Sequence, residues 1–286
     1  MRNNYHFRSA SQKMSNLIAA AIAFFALVAC QHEVTLTIVQ TSDSHSCIEP
    51  DPKTDMGGYM RRAVLIDSLR QHVDKDLLLF DCGDYSQGSL YYTLFQGEAE
   101  IRMMNAMGYD AATIGNHEFD FGEENMQRLF TMAHFPTLSC NYDVTGTPLE
   151  GIVKPYTIIK RKGIRIGVFG VTPPMDGLVF KKNYVGIEYL DPIAKANETA
   201  AILREKEHCD LIVCLSHLGW QMPRDEIDDE RFIAGSHGID IVLGGHSHSV
   251  FLEPAVYNDA DSHPVALMHN GKNALYVGLW QITLKK

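Results

Sequence analysis

This chain has no surplus of basic charge. Its 25 Lys and Arg stand against 35 Asp and Glu, a formal net charge of −10 at neutral pH. Proteins that hold nucleic-acid polymers do so by displacing counterions with Lys and Arg. Binding to a nucleic-acid polymer is therefore excluded, whereas a small phosphorylated ligand is not, provided that metal ions supply the positive charge. CxxC pairs are absent too. Cys47, Cys82, Cys140, Cys209 and Cys214 are an odd set lying mostly in or beside predicted strands, and they read as small core hydrophobes and not as a disulfide framework. The sequence has no internal repeat, no low-complexity linker and no second composition regime. The apolar run Leu17 to Ala29 falls short of the roughly 20 residues that a membrane span needs.

What is there begins with a targeting segment. Arg2, Arg8 and Lys13, with no acidic residue among them, precede that apolar run, which fits a secretory leader. It ends in Leu27-Val28-Ala29-Cys30, which resembles a bacterial lipobox. The expected organisation is a lipoprotein signal peptide over 1–29, a lipidated Cys30 with a short tether over 30–33, and one catalytic domain over 34–286. The implied location is the bacterial cell envelope, periplasmic or outer-surface, with the lipid anchoring the chain to a membrane.

Beyond the leader, strands alternate with helices. Val34 to Val39 alternates apolar residues with Thr, and Leu77 to Phe80, Ala111 to Ile114, Leu211 to Leu215 and Ile239 to Leu243 are short apolar runs of strand type. Helices are predicted after Gly57-Gly58, with Met60, Val64, Leu65, Ile66, Leu69 and Val73 as the apolar positions, then over Glu98 to Met107, Glu123 to Ala133 and Asp191 to about Glu207. Tyr156 to Lys160 and Ile164 to Phe169 flank a hairpin turn, and the chain closes on strand-like runs at Val265 to Met268 and Leu275 to Leu284. This pattern indicates an α/β fold, with mixed sheets covered by helices.

Five of the strands run into residues of one chemical kind: Asp43 and His45, Asp84, Asn116 and His117, His217, and His246 with His248. Ligands of open α/β sheets bind beyond the carboxyl ends of the strands, so these groups are candidates for one site. Oxygen and imidazole without thiolate suit Mn, Fe, Zn or Ni better than Ca. The groups are too many for one tetrahedral ion and enough for two, with Asp84 as a bridge.

The stretches Thr41-Ser42-Asp43-Ser44-His45, Gly83-Asp84-Tyr85-Ser86-Gln87-Gly88, Gly115-Asn116-His117-Glu118-Phe119-Asp120, Ser216-His217 and Gly244-Gly245-His246-Ser247-His248 together resemble the ordered motifs of the calcineurin-like metallophosphoesterases. With Gly57-Gly58-Tyr59-Met60-Arg61-Arg62 they are similar to the 5′-nucleotidase branch. The resemblance implies a four-layer sandwich of two central mixed β-sheets flanked by helices. It implies two divalent ions (Mn, Zn, Co, Fe or Mg), one on Asp43, His45, Asp84 and His248, the other on Asp84, Asn116, His217 and His246. It makes His117 the catalytic acid, Asp120 its orienting partner, and Asn116 and His117 the substrate-binding pair. The implied reaction is hydrolysis of nucleoside 5′-monophosphates by direct attack of a metal-bound hydroxide on phosphorus. 2′,3′-Cyclic-nucleotide phosphodiesterase, nucleotide-sugar pyrophosphatase and the catalytic subunit of a split nucleotidase are alternatives within the same chemistry, and a metal-binding envelope lipoprotein without turnover is the alternative outside it. Ser42 and Ser46 stand where the motif has Asn and Gly. Nucleotidases of this kind carry a second, substrate-gripping domain; either a separate chain supplies one here, the favoured expectation, or the domain acts alone on a broader set of phosphate esters. Arg61, Arg62, Arg102 and Arg224 are read as solvated or structural, Trp220 and Tyr85 as pocket or core residues, and His269 as one of the histidines outside the strand-end pattern, with an approach to the site edge as the lesser alternative.

Overall fold

The computed structural model describes residues 33–285; the leader and Cys30 lie outside them. The described residues divide into two compact units, 36–281 and the pair of segments 33–35 and 282–285. In the smaller unit the Thr35 and Thr283 hydroxyls meet at 3.0 Å. The larger unit carries every strand end named above.

Its first sheet has the order β13 (Gly278–Lys285), β1 (Glu33–Thr41), β2 (Leu78–Asp81), β3 (Ala111–Thr113), β4 (Thr137–Leu138), and β1 to β4 run parallel. The second has the order β11 (Ala255–Asn258), β12 (Pro264–His269), β10 (Ile241–Gly244), β9 (Leu211–Ser216), β7 (Ile164–Val171), β6 (Tyr156–Arg161). It is parallel from β12 to β7 and closes at each edge with an antiparallel hairpin. A two-stranded piece pairs β5 (Tyr142–Asp143) with β8 (Glu188–Tyr189).

Parallel strands buried on both faces read as continuous apolar runs, which is why β2, β9 and β10 are visible in the sequence. On one side, α1 (Tyr59–His72), α3 (Glu98–Met107) and α4 (Glu123–Met132) bury Ile66, Ile101, Met104, Met126 and Leu129 together with Leu79 of β2. On the other, α5 (Pro192–Ala201) and α6 (Asp229–Gly235) bury Ala196, Ala200, Phe232 and Ile233 with Ile212, Cys214 and Val242. Asp191 caps α5 by accepting from the Ala194 N–H at 2.7 Å, with Pro192 in the first turn, as the Asp-Pro signal predicts. The two sheets approach closely where β7 crosses β3 and β4. A Cβ on Gly170 would lie 2.3 Å from the Leu138 carbonyl oxygen and 2.5 Å from Thr113 Oγ1.

The sequence reading fails in places. On α1, Met60, Val64, Leu65 and Val73 are exposed, and the buried face is Tyr59, Arg62 and Ile66. Arg62 turns inward because its Nη1 donates to Ser44 Oγ at 2.6 Å and its guanidinium lies over the Tyr59 ring. Residues 202–206 leave α5 as a π-turn instead of continuing the α-helix. Residues 275–277 form a loop before β13, and the short α2 (Leu90–Phe95), capped by Ser89, went unread. All five thiols among the described residues are free, Cys47 half-buried and the other four buried. Burial pushes Cys140 up to about 12.

Gly170→Ala should destabilise the fold by about 1–3 kcal/mol, the usual cost of overpacking. At this size that lowers the melting temperature by several degrees. An unchanged thermal melt would show that the sheets part at no cost.

Candidate metal centre

The ladder registers place the ligand-bearing turns level with one another. Thr41 pairs with Asp81 across β1 and β2, and Gly244 pairs with both Ser216 and His269 across β10, β9 and β12. The next residues along each strand deliver Asp43, Asp84, His217 and His246 to the same edge. The turns interlock through their backbones: Asp43 N–H donates to the Gly83 carbonyl at 2.9 Å and His45 N–H to the Asp84 carbonyl at 3.0 Å. Asp43 in turn accepts the His246 N–H at 3.0 Å, and Asp84 Oδ1 accepts the His117 N–H at 2.9 Å. Gly115 must be glycine, since its Cβ would sit 2.2 Å from Asp84 Oδ1.

Asp43, His45, Asp84, His246 and His248 all adopt the left-handed backbone conformation, with φ between 45° and 70°. Non-glycine residues there carry strain that persists only when the surroundings over-determine it, and such residues concentrate at functional sites.

Two groups of side chains result. Asp43, His45 and His248 converge, as do Asp84, His217 and His246, and within each group the ligand atoms lie within 4.8 Å of one another. Asp84 also falls within that range of His45 and His117, so it stands between the groups. Asn116 projects its Oδ1 into a buried position without a hydrogen-bond partner, and His217 Nε2 has only the Asp84 carboxylate beside it. His217 Nδ1 is engaged by the Cys82 carbonyl at 2.6 Å. That arrangement reserves Nε2, 3.1 Å from Asp84 Oδ2, for a ligand. His45 Nε2 and His248 Nε2 lie within hydrogen-bond distance at 3.0 Å, so both ring nitrogens face one point.

The electrostatics agree. Burial lowers His45 to about 4 and His246 to about 3, which keeps both imidazoles neutral and able to ligate. Burial raises Asp43, and the Asp84 charge adds to it. Burial also works against Asp84, but the charge of His217 beside it holds that carboxyl well below the usual range. His217 responds oppositely: burial lowers it, yet the Asp84 charge lifts it to about 10. Carboxylates balanced by an imidazolium proton are groups that a divalent cation takes over, releasing the proton. The donor set of buried carboxylate, amide oxygen and imidazole fits two divalent ions sharing Asp84.

His117 sits beside the centre. Its Nδ1 lies 3.1 Å from Asp120 Oδ2. Burial lowers its pKa, but the Asp120 hydrogen bond and nearby carboxylate charges prevail and raise it. The structure thus brings together all of Asp43, His45, Asp84, Asn116, His117, Asp120, His217, His246 and His248.

Sequence reading missed Glu118. Its buried carboxylate accepts the N–H groups of Asp84 at 2.9 Å, Gly115 at 2.7 Å and Ser86 at 3.1 Å, tying two ligand turns together. The only signal was an acid inside Gly115 to Asp120 without a role. His269 proves not to be a site residue: it is buried, with Nε2 2.8 Å from Asp229 Oδ2, and Asp229 also accepts the Ser216 hydroxyl. Tyr85 is core, and Trp220 donates to Tyr257 and packs on Phe251. Arg61 and Arg102 pair at the surface with Asp55 and Glu98.

Glu118→Gln replaces acceptor lone pairs by an NH₂ facing backbone donors. It should weaken metal affinity by about 10–100-fold, the usual effect of losing a group that supports ligands. Metal content after dialysis against a chelator reads this directly, and wild-type retention would remove Glu118 from the centre's support.

The sequence pattern of the family described as calcineurin-like phosphoesterase matches residues 36–250. A probable 5′-nucleotidase of Treponema pallidum is 31% identical over 249 residues, covering 81% of this chain and 41% of that protein. A 2′,3′-cyclic-nucleotide 2′-phosphodiesterase/3′-nucleotidase of Haemophilus influenzae is 32% identical over 279 residues, covering 88% and 41%. The crystal structure of a 5′-nucleotidase precursor from Thermus thermophilus superimposes with a TM-score of 0.79 at 29% identity, over 87% of this chain and 51% of that one. The chain spans about two fifths of the length of these curated relatives. With a match that runs from β1 past the paired imidazoles of the last ligand turn, this chain belongs to the calcineurin-like phosphoesterase family.

Proposed function

We propose that this chain is the phosphoester-hydrolysing domain of a 5′-nucleotidase-like enzyme, acting on nucleoside 5′-monophosphates. The observation that carries this reading is Asp84 standing between two ligand groups, beside a histidine whose Nδ1 is held by Asp120. When bound, two divalent ions supply Lewis-acid charge at the phosphate and activate the attacking water. The remaining steps belong to the protein. Asp43, His45, Asp84 and His248 would hold one ion, and Asp84, Asn116, His217 and His246 the other. His117, with Nδ1 anchored, has Nε2 left to hand a proton to the departing alkoxide. Ser46 Oγ and Ser216 Oγ donate to the buried carboxylates of Glu100 and Asp229 and are held there as structural groups, which favours direct attack over a covalent intermediate.

Beside the centre, starting at Ser46, lies a cleft of about 590 Å³ whose walls include Ile48, Met56, Tyr91 and Tyr276, a size and lining that suit a small organic ligand. The Haemophilus relative supports a second reading, hydrolysis of 2′,3′-cyclic nucleotides at the same centre. A substrate-gripping domain lying outside these residues, on a separate chain or otherwise, and a lipid at Cys30 that holds the protein at the envelope complete the proposal; the sequence Leu27-Val28-Ala29-Cys30 supports the latter.

His117→Ala should retain metal and lose about 10²–10⁴-fold in turnover, the usual worth of a general acid, whereas Asp84→Asn should lose metal. Phosphate release from AMP, from a 2′,3′-cyclic nucleotide and from an aryl phosphate, with Mn, Zn, Co and Mg in turn, separates the readings. Turnover of the aryl ester alone would move nucleotide recognition to another chain. Cys30→Ser should shift the protein from the membrane to the soluble fraction, and an unchanged partition would rule out the anchor.

A further inference from the structure

We propose a second metal site, outside the strand-end ligand set, in the turn of the β11–β12 hairpin, taking one divalent transition-metal ion such as zinc on Asp259, Asp261 and His263. The three residues alternate along the turn, and their ligand atoms lie within 4.8 Å of one another. The turn is built rigidly. Asp259 Oδ1 accepts the N–H groups of Asp261 at 2.9 Å and His263 at 2.8 Å, Asp259 N–H donates to the His263 carbonyl, and Ser262 takes a left-handed conformation at φ 65°. Ala260 N–H donates to the Ser236 carbonyl at 3.0 Å, fastening the turn to the end of α6.

What distinguishes this cluster from an ordinary acidic turn is the second oxygen of Asp259. Its side chain is 1% exposed, and Oδ2 is buried without a hydrogen-bond partner. A buried carboxylate oxygen left unsatisfied is costly, and His263 Nδ1 at 3.8 Å is too far to satisfy it. A cation beside Oδ2 would. His263 is exposed and can turn toward that cation, and His237 Nδ1, 2.7 Å from Asp261 Oδ2, holds the exposed Asp261 carboxylate from the α6 side. Two carboxylates and an imidazole are a donor set for zinc with a fourth position open to water. The ion would pin the hairpin to α6, whose Asp229 supports Ser216 and His269 beneath the strand-end centre.

The test counts zinc on the full chain after chelator treatment and dialysis against micromolar zinc, by atomic absorption. Wild type should bind three equivalents, and Asp261→Ala and His263→Ala, both at exposed positions, two each. In the Asp84→Asn background the remaining equivalent should vanish on adding His263→Ala. Equal counts for wild type and the two single variants, or no zinc lost when His263→Ala is added to Asp84→Asn, would overturn the proposal.

Discussion

The constraint on which the structure turns is the burial of two carboxylates at one sheet edge. Asp43 and Asp84 lie fully out of water with their charges close enough to oppose each other. Burying such charge costs several kcal/mol per ion unless hydrogen bonds and opposite charge offset it. The surroundings supply both. Backbone N–H groups of His246 and His117 point at the carboxylates, and the proton on His217 balances Asp84. Two divalent cations would complete that compensation, so holding metal and holding the fold together at this edge are one electrostatic problem.

The rest of the fold serves that edge. Level strand registers bring five turns to one height, and the tight contact of the sheets at Gly170 leaves no room for them to slide. Glu118 works at longer sequence range: a single carboxylate receiving three N–H groups makes the Asp84 turn and the Gly115-Asn116 turn one body. Arg62 does the same for the first turn through Ser44.

Most of the candidate site was legible because each ligand directly follows an apolar run, and strand ends are where open sheets place ligands. What escaped was nonlocal or went against polarity. Arg62 reads as solvated or structural, and only its buried partner Ser44 decides for the structural role. Met60, Val64 and Leu65 are apolar and read as core, yet face outward. The burial of His269 was not legible, because nothing near it in sequence announces Asp229, which lies 40 residues earlier. The helix after Gly57-Gly58 was found, but its buried side was not, since only Ile66 among its apolar positions is fully enclosed.

The left-handed turns restrict which substitutions the lineage can explore. Aspartate, asparagine and histidine are the side chains that tolerate this backbone region best after glycine, and they are also good metal donors. Chemical and conformational selection therefore coincide at Asp43, His45, Asp84, His246 and His248. A β-branched replacement fails on both counts at once, whereas glycine preserves the turn while deleting the donor. A descendant that gave up its metals would pass through glycine and asparagine at these positions, leaving the empty turns as a trace of the chemistry they once held.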